Sequence, residues 1–319
     1  MIAPEPGPYT SAAKSTSRIH WRQVGWITLA AIVLYIVVRH LPTGTNLSHM
    51  DFRPGGSSVE FCDPANPQFM PVTTVRSPVA MVFTGDEVFA ARSAHLALAM
   101  KTATGKPVGP DDLLVVHTQK LHLMIVDPTL TDYQHLHPLA GKKPGEWLVE
   151  FTPKRAGLYR AFADFTPAAT ARGLYASADI LVKDSSAVPR ANDETPTVAG
   201  PDGSILREGF RFTLQPRENP MRAGKVLDLT FSVKREDGAA VPLQTIMGAF
   251  AHLVAFDQER GGFAHLHPNE IDLAQKPDAV RPTLSFKVTI PKAGRYVVWA
   301  QVNLAGQDTA VPFWLDVQP

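Results

Sequence analysis

The sequence has a single cysteine, Cys62, in 319 residues. A lone thiol cannot form an intramolecular disulfide, so the fold does not rest on disulfide staples. Cys62 lies in the Pro-rich stretch "EFCDPANPQFMPV" and reads as a solvent-facing or locally packed thiol in an extended linker. There is also no charge surplus. Lys+Arg (31) and Asp+Glu (30) nearly cancel, which argues against a nucleic-acid partner, since such partners select a basic surface. Gly (22) and Pro (28) are plentiful but not periodic, which excludes a collagen-like chain. No long segment outside the N-terminal region keeps a helical 3.6-residue period. The chain has no Ser/His/Asp order with a nucleophile elbow and no phosphate loop. A blue-copper electron carrier would need a Cys thiolate, and Cys62 lies outside the patterned regions described below.

One apolar run is present near the N-terminus. Residues 24–38, "VGWITLAAIVLYIVV", carry no charge, and Lys14, Arg18 and Arg22 precede them. Positive charge ahead of an apolar run leaves the N-terminus in the cytoplasm. The run is shorter than the about 20 residues of a full span, but Gln23 and the Arg39–His40–Leu41 flank can snorkel. A cleaved signal peptide is the rival reading, although no small-x-small cleavage site directly follows Val38. The expectation is a bacterial inner-membrane anchor with the remaining chain in the periplasm.

The exported part repeats itself. "VFAARSAHLALAMKTATGKPV" (88–108) lies over "PMRAGKVLDLTFSVKREDGAAV" (220–241), with Gly105 opposite Gly238. "VVHTQKLHLMIVDPTLTDYQHLHP" (115–138) matches "TIMGAFAHLVAFDQERGGFAHLHP" (245–268), and "WLVEFTPKRAGLYRAFADF" (147–165) matches "LSFKVTIPKAGRYVVWAQV" (284–302). Short alternating strands with frequent turn residues give an all-β fold class of two tandem immunoglobulin-like antiparallel β-sandwiches. The expected layout is a cytoplasmic segment (1–23), an anchor (24–41), an extended linker (42–76), repeat 1 (77–184), a linker (185–208) and repeat 2 (209–319).

The histidines carry the functional signal. His122, His135 and His137 form His-x12-His-x-His, and His252, His265 and His267 keep that spacing. Residues i and i+2 of a strand share a face, about 7 Å apart at the α-carbons. Each His-Leu-His pair therefore presents two imidazoles side by side. The twelve intervening residues suffice for a strand, a turn and a return, which brings His122 or His252 beside its pair. Three imidazoles are a natural ligand set for a late first-row metal. Asp127 and Asp257 align where these hairpins turn, and turn chemistry accounts for them. His20, His40, His49 and His95 read as ordinary histidines.

One further position aligns. Five residues before the first ligand stands His117 in repeat 1 and Met247 in repeat 2. A position that alternates His and Met fits copper, since a thioether suits Cu(I) and imidazole suits Cu(II). Zinc is the runner-up. The expected metal residues are thus His117, His122, His135, His137, Met247, His252, His265 and His267, with one site per domain. Asp164 and Gln301 also align. Asp164 could fix an imidazole tautomer as an acceptor, but it reads more simply as a strand-end turn residue.

The segment "HTQKLHLMIVDPTLTDYQHLHP" resembles the His-x4-His-Leu…Phe-x-His-x-His-Pro segment of exported bacterial β-sandwich domains associated with copper and heavy-metal handling. The layout, one anchor before an immunoglobulin-like domain, is also similar to the FixH/YtkA-like group, tied to cation pumps and cytochrome oxidase assembly. The resemblance implies copper binding, transfer or supply in the cell envelope. The expected function is accordingly copper storage, delivery or resistance, with a copper donor or acceptor, or a membrane oxidase or pump, as partner. The sequence departs from that motif at Met247 and Tyr133. No paired carboxylates beyond Asp127, Asp132 and Asp257 lie near the histidines, so binding is favoured over catalysis. The alternative is a scaffold for a membrane complex in which the histidines are structural.

Overall fold

A computed structural model describes residues 21–40, 47–52, 67–75, 77–184 and 203–319. Cys62, His20 and the linker residues 185–202 lie outside the described residues. Helix α1 (Trp21–His40) forms part of a unit of its own. Its 20 residues rise about 30 Å, the thickness of a bilayer core. It is long and apolar enough to cross a membrane, and fits either an anchor or a signal sequence.

The second unit, Leu47–Pro319, holds all the strands. Domain 1 comprises β1 (Val79–Gly85), β2 (Val88–Phe89), β3 (Ala94–Thr102), β4 (Leu121–Val126), β5 (Tyr133–Leu136), β6 (Leu139–Ala140), β7 (Glu146–Phe151), β8 (Gly157–Phe165) and β9 (Leu174–Lys183). Domain 2 comprises β10 (Ile205–Arg207), β11 (Phe210–Pro216), β12 (Met221–Arg222), β13 (Val226–Arg235), β14 (Leu243–Gln244), β15 (His252–Asp257), β16 (Phe263–Leu266), β17 (Thr283–Thr289), β18 (Gly294–Leu304) and β19 (Gln307–Gln318). Each domain has two sheets. In domain 1 they run β1-β3-β7-β6 and β2-β9-β8-β4-β5; in domain 2 they run β10-β11-β13-β17 and β12-β19-β18-β15-β16, with β14 on β18. The ladders between these strands are antiparallel except the short pairs β2–β9 and β12–β19. Domain 2 thus begins at Ile205, a few residues inside the stretch read as linker.

Each sandwich encloses its own core, with Leu98, Trp147 and Phe151 in domain 1 and Phe212, Phe231 and Phe286 in domain 2. A third apolar cluster joins the domains. It brings Met124, Val126, Tyr133 and Phe162 against Val254, Phe256, Phe263 and Trp299. Strand parity explains it. Leu121, Leu123 and Ile125 of β4 enter the domain 1 core, so Met124 and Val126 face away from it. Leu253 and Ala255 of β15 enter the domain 2 core, so Val254 and Phe256 face domain 1. Both strands are consequently buried on both faces. Each large side chain withdrawn from water here contributes about 1.5–3 kcal/mol.

The hairpins that carry the histidines turn at aligned aspartates. Asp127 accepts the backbone N–H of Thr129, Thr131 and Asp132 at 3.1, 2.7 and 2.9 Å. Asp257 accepts those of Gly261 and Gly262 at 2.7 and 3.1 Å. Residues 67–73, read from sequence as linker, are stitched to the outer edge of domain 2. Met70 N–H donates to the Phe263 carbonyl at 2.7 Å, and Phe263 N–H returns to Met70 at 3.1 Å. The approach is so close that a Cβ at Gly262 would collide with the Met70 carbonyl oxygen, which is why only glycine fits there. The edge of β16 is thereby covered.

Candidate metal centre at the domain interface

Parity also decides where the histidines go. His122 shares a β4 face with Met124 and Val126, and His252 shares a β15 face with Val254 and Phe256. On the return strands, His135 follows Tyr133 and His265 follows Phe263 on the interface side. His137 and His267 come just after β5 and β16, ahead of Pro138 and Pro268. All six therefore gather at the domain interface. Ring centroids meet across it at 5.1 Å for His122 and His265, 5.0 Å for His135 and His265, and 5.8 Å for His135 and His252. The sequence reading placed one site in each domain. The structure instead merges both triads into one cluster, because β4 and β15 turn their histidine faces toward each other.

Hydrogen bonds at the rim of the cluster fix several tautomers. His122 Nε2 lies 3.0 Å from the Val116 carbonyl oxygen, and His252 Nε2 lies 3.0 Å from that of Ile246. A carbonyl only accepts, so each Nε2 carries the proton and each Nδ1 keeps a lone pair. His265 Nδ1 lies 3.1 Å from Asp164 Oδ2. Toward an ionised carboxylate this nitrogen donates, which leaves His265 Nε2 with its lone pair. That Nε2 is 3.2 Å from His252 Nδ1. With Asp164 ionised, two acceptors face each other, and a cation between them relieves the repulsion.

The spacing matches a metal polyhedron. Two nitrogens each about 2.0–2.1 Å from one ion in a tetrahedral arrangement lie about 3.3 Å apart. His122 Nδ1 stands 3.3 Å from His135 Nε2 and 3.2 Å from His137 Nε2. Burial disfavours a proton as the cation. Desolvation lowers all seven imidazoles from the ordinary histidine value, with His252 pushed down to about 3 and His135 and His265 well below normal. Neutral imidazole is the metal-binding form.

Two three-histidine groups could hold a metal ion: His122, His135 and His265, and His252, His265 and His267, each with ligand atoms within 4.8 Å of one another. The repeat 2 triad assembles as its spacing predicts. In repeat 1, His265 from the other domain takes the place expected for His137 in the group. His117 is brought to the cluster in a different role, stacking on His267 with ring centroids 3.5 Å apart. His117 and Met247 hold the same left-handed turn, both at φ 49°. The two turns touch, since a Cβ on Gly248 would lie 3.0 Å from the Thr118 methyl. Met247 is half-buried beside that contact. His49 and His95 lie elsewhere, in a short 3-10 turn and in β3.

Asp164 is not a strand-end turn residue. It lies in β8 in register with His122, and Gln301 lies in β18 in register with His252. Its carboxylate crosses the interface to His265, a contact that the alignment of Asp164 with Gln301 hinted at. Burial raises the Asp164 carboxyl, and His122 and His117 draw it back down. Among the described residues, the repeat counterparts of this pair are left open: His135 Nδ1 and Gln301 Oε1 are both buried without a hydrogen-bond partner, as is His267 Nε2. Buried polar atoms are rarely left so.

A family model described as "Domain of unknown function (DUF8832)" matches residues 75–179 and again 205–319. These matches span more than half of the chain, which therefore belongs to that family and carries two copies of its domain. None of the curated proteins matches. Among solved structures, Salmonella alpha-2-macroglobulin is similar at 12% identity over 76% of this chain and 15% of its own, with a TM-score of 0.24. The fibronectin(III)-like modules of Clostridium thermocellum CbhA are 10% identical over 75% of this chain and 94% of theirs (TM-score 0.18). The Escherichia coli adhesin FdeC is 16% identical over 76% and 63% (TM-score 0.21).

Proposed function

We propose that this protein is a membrane-anchored periplasmic copper-binding protein that stores or delivers the metal, or confers resistance to it, through the histidine cluster between its two domains. The observation that carries this reading is the 3.2 Å approach of His252 Nδ1 to His265 Nε2 within the six-histidine cluster, where both nitrogens are acceptors when Asp164 is ionised. Copper is favoured over zinc because His117 and Met247 hold one turn in the two repeats, a thioether suiting copper and not zinc, and because copper has the higher raw affinity. The apolar helix α1 supports the anchor. Delivery is favoured over catalysis because the chain offers neither a nucleophile elbow nor a phosphate loop beside the histidines.

One observation favours a second reading, in which the histidines are structural. If Asp164 keeps its proton, as burial encourages, it can donate to His265 Nδ1. His265 Nε2 then donates to His252, and the cluster becomes a hydrogen-bond chain joining the domains of a scaffold. Elemental analysis of the full chain in detergent, after separate loading with Cu(I), Cu(II) and Zn(II), separates the two. Stoichiometric copper that outcompetes zinc is the expected result. No retained metal would leave the scaffold.

A further inference from the structure

We infer that the two repeats hold one ion between them and not one each, and that this ion has two overlapping positions that share His265. The inference rests on the metal-binding reading above and goes beyond it in stoichiometry and in movement. His265 belongs to both three-histidine groups. Its Nδ1 is engaged by Asp164 at 3.1 Å, so only Nε2 remains to bind a metal. One lone pair binds one ion. The two groups therefore cannot be filled together while both use His265, and a second ion would have to take His137, whose Nε2 lies 3.2 Å from His122 Nδ1, in its place.

The alternative ligands flank His265 on either side. His122 and His135 come from domain 1, with ring centroids 5.1 and 5.0 Å from that of His265. His252 and His267 come from domain 2, at 5.4 and 4.6 Å. An ion that keeps His265 can exchange one pair for the other and so pass from one domain to the other without leaving the protein. No bond other than metal–nitrogen coordination forms or breaks, and no proton need move, since His122 and His252 already offer Nδ1 lone pairs. The geometry thus describes a hand-off track built by duplication.

The test is Cu(I) stoichiometry on the full chain in detergent, under anaerobic conditions, for wild type, His135→Ala, His267→Ala, the double variant and His265→Gln. The expected results are one copper for wild type, one for each single alanine variant with altered copper–nitrogen coordination by X-ray absorption, and none for the double variant or for His265→Gln. Two coppers in wild type, or no copper in either alanine variant, would overturn the shared-ion inference while leaving metal binding intact. No copper in wild type would overturn the metal-binding reading itself. Should His265→Gln fail to fold, as read by circular dichroism, the wild-type count and the alanine series still decide.

Discussion

Asp164 and Gln301 hold the same place in the two repeats, each in register with the first histidine of its domain, and they do different things. Asp164 reaches His265 across the interface. Gln301 leaves its side-chain oxygen buried and unpartnered, as is the ring nitrogen of His135 that the repeat would set against it. The backbones agree because strands, turns and register are set by local patterns that duplication copied whole. The side chains disagree where one repeat meets the other. An ionised carboxylate orients its imidazole and makes it a stronger donor to metal, whereas a neutral amide does so more weakly. The duplication therefore produced an asymmetric cluster, in which one of two aligned positions carries a carboxylate and the other an amide.

The largest effect should come from separating the halves. Phe256 is fully buried between the domains, its ring 5.7 Å from that of Phe162 and 5.8 Å from that of Tyr133. Phe256→Ala should cost about 3–5 kcal/mol, a large part of the usual 5–15 kcal/mol of a domain. Because the same interface holds the histidines together, copper affinity should fall with stability. Denaturant unfolding with and without copper checks both; a loss of stability with affinity unchanged would show that each half binds alone.

Acid should act next. The interface imidazoles are held below the ordinary value of 6.5, and His252 is lowered to about 3. The unfolded chain then binds more protons than the folded one in that interval. Stability of the metal-free protein should be full above about pH 6.5 and should drain away as the pH falls from there toward 3. Thermal unfolding across that range tests the sign. A protein that gained stability on acidification would have its imidazoles charged and paired, contrary to the burial seen here.

The repeat, the hairpins and the histidine spacing were legible because each depends on residues close in sequence. The turn roles of Asp127 and Asp257 followed from the same local chemistry. Pooling of the triads was harder to read, since it depends on which faces of β4 and β15 are covered. A signal was present: "LHLMIV" and "HLVAF" are nearly continuous apolar runs, the pattern of strands buried on both sides, with histidine as the only polar interruption. The pairing of residues 67–73 with domain 2 was hidden because Pro-rich composition describes a tether and an edge strand alike. Asp164 was aligned with Gln301 but its partner lies 101 residues away, beyond any spacing rule.

Exchanging the two side chains sharpens the comparison directly. Asp164→Asn should weaken copper binding about 10–100-fold, the usual cost of removing a group that orients a ligand. Gln301→Asp should strengthen it, provided that the new carboxylate engages His135 Nδ1. Competition titration with a Cu(I) chelator measures both. Equal and negligible effects would mean that the asymmetry is a sequence difference without a chemical one.

The smallest effect is expected where the repeats differ at the rim. His117 and Met247 share a turn and a left-handed backbone, but only His117 carries a ring, which lies flat on His267. Met247→His gives the second turn the same ring and removes a soft thioether. Coordination preference then moves toward Cu(II), which favours imidazole, and away from Cu(I). The backbone conformation tolerates the change, because histidine already occupies it in the first repeat. A rise in the ratio of Cu(II) to Cu(I) affinity, with unchanged thermal stability, would place Met247 within reach of the ion. An unchanged ratio would assign the thioether to packing between the two touching turns and confine the metal to the six histidines beneath them.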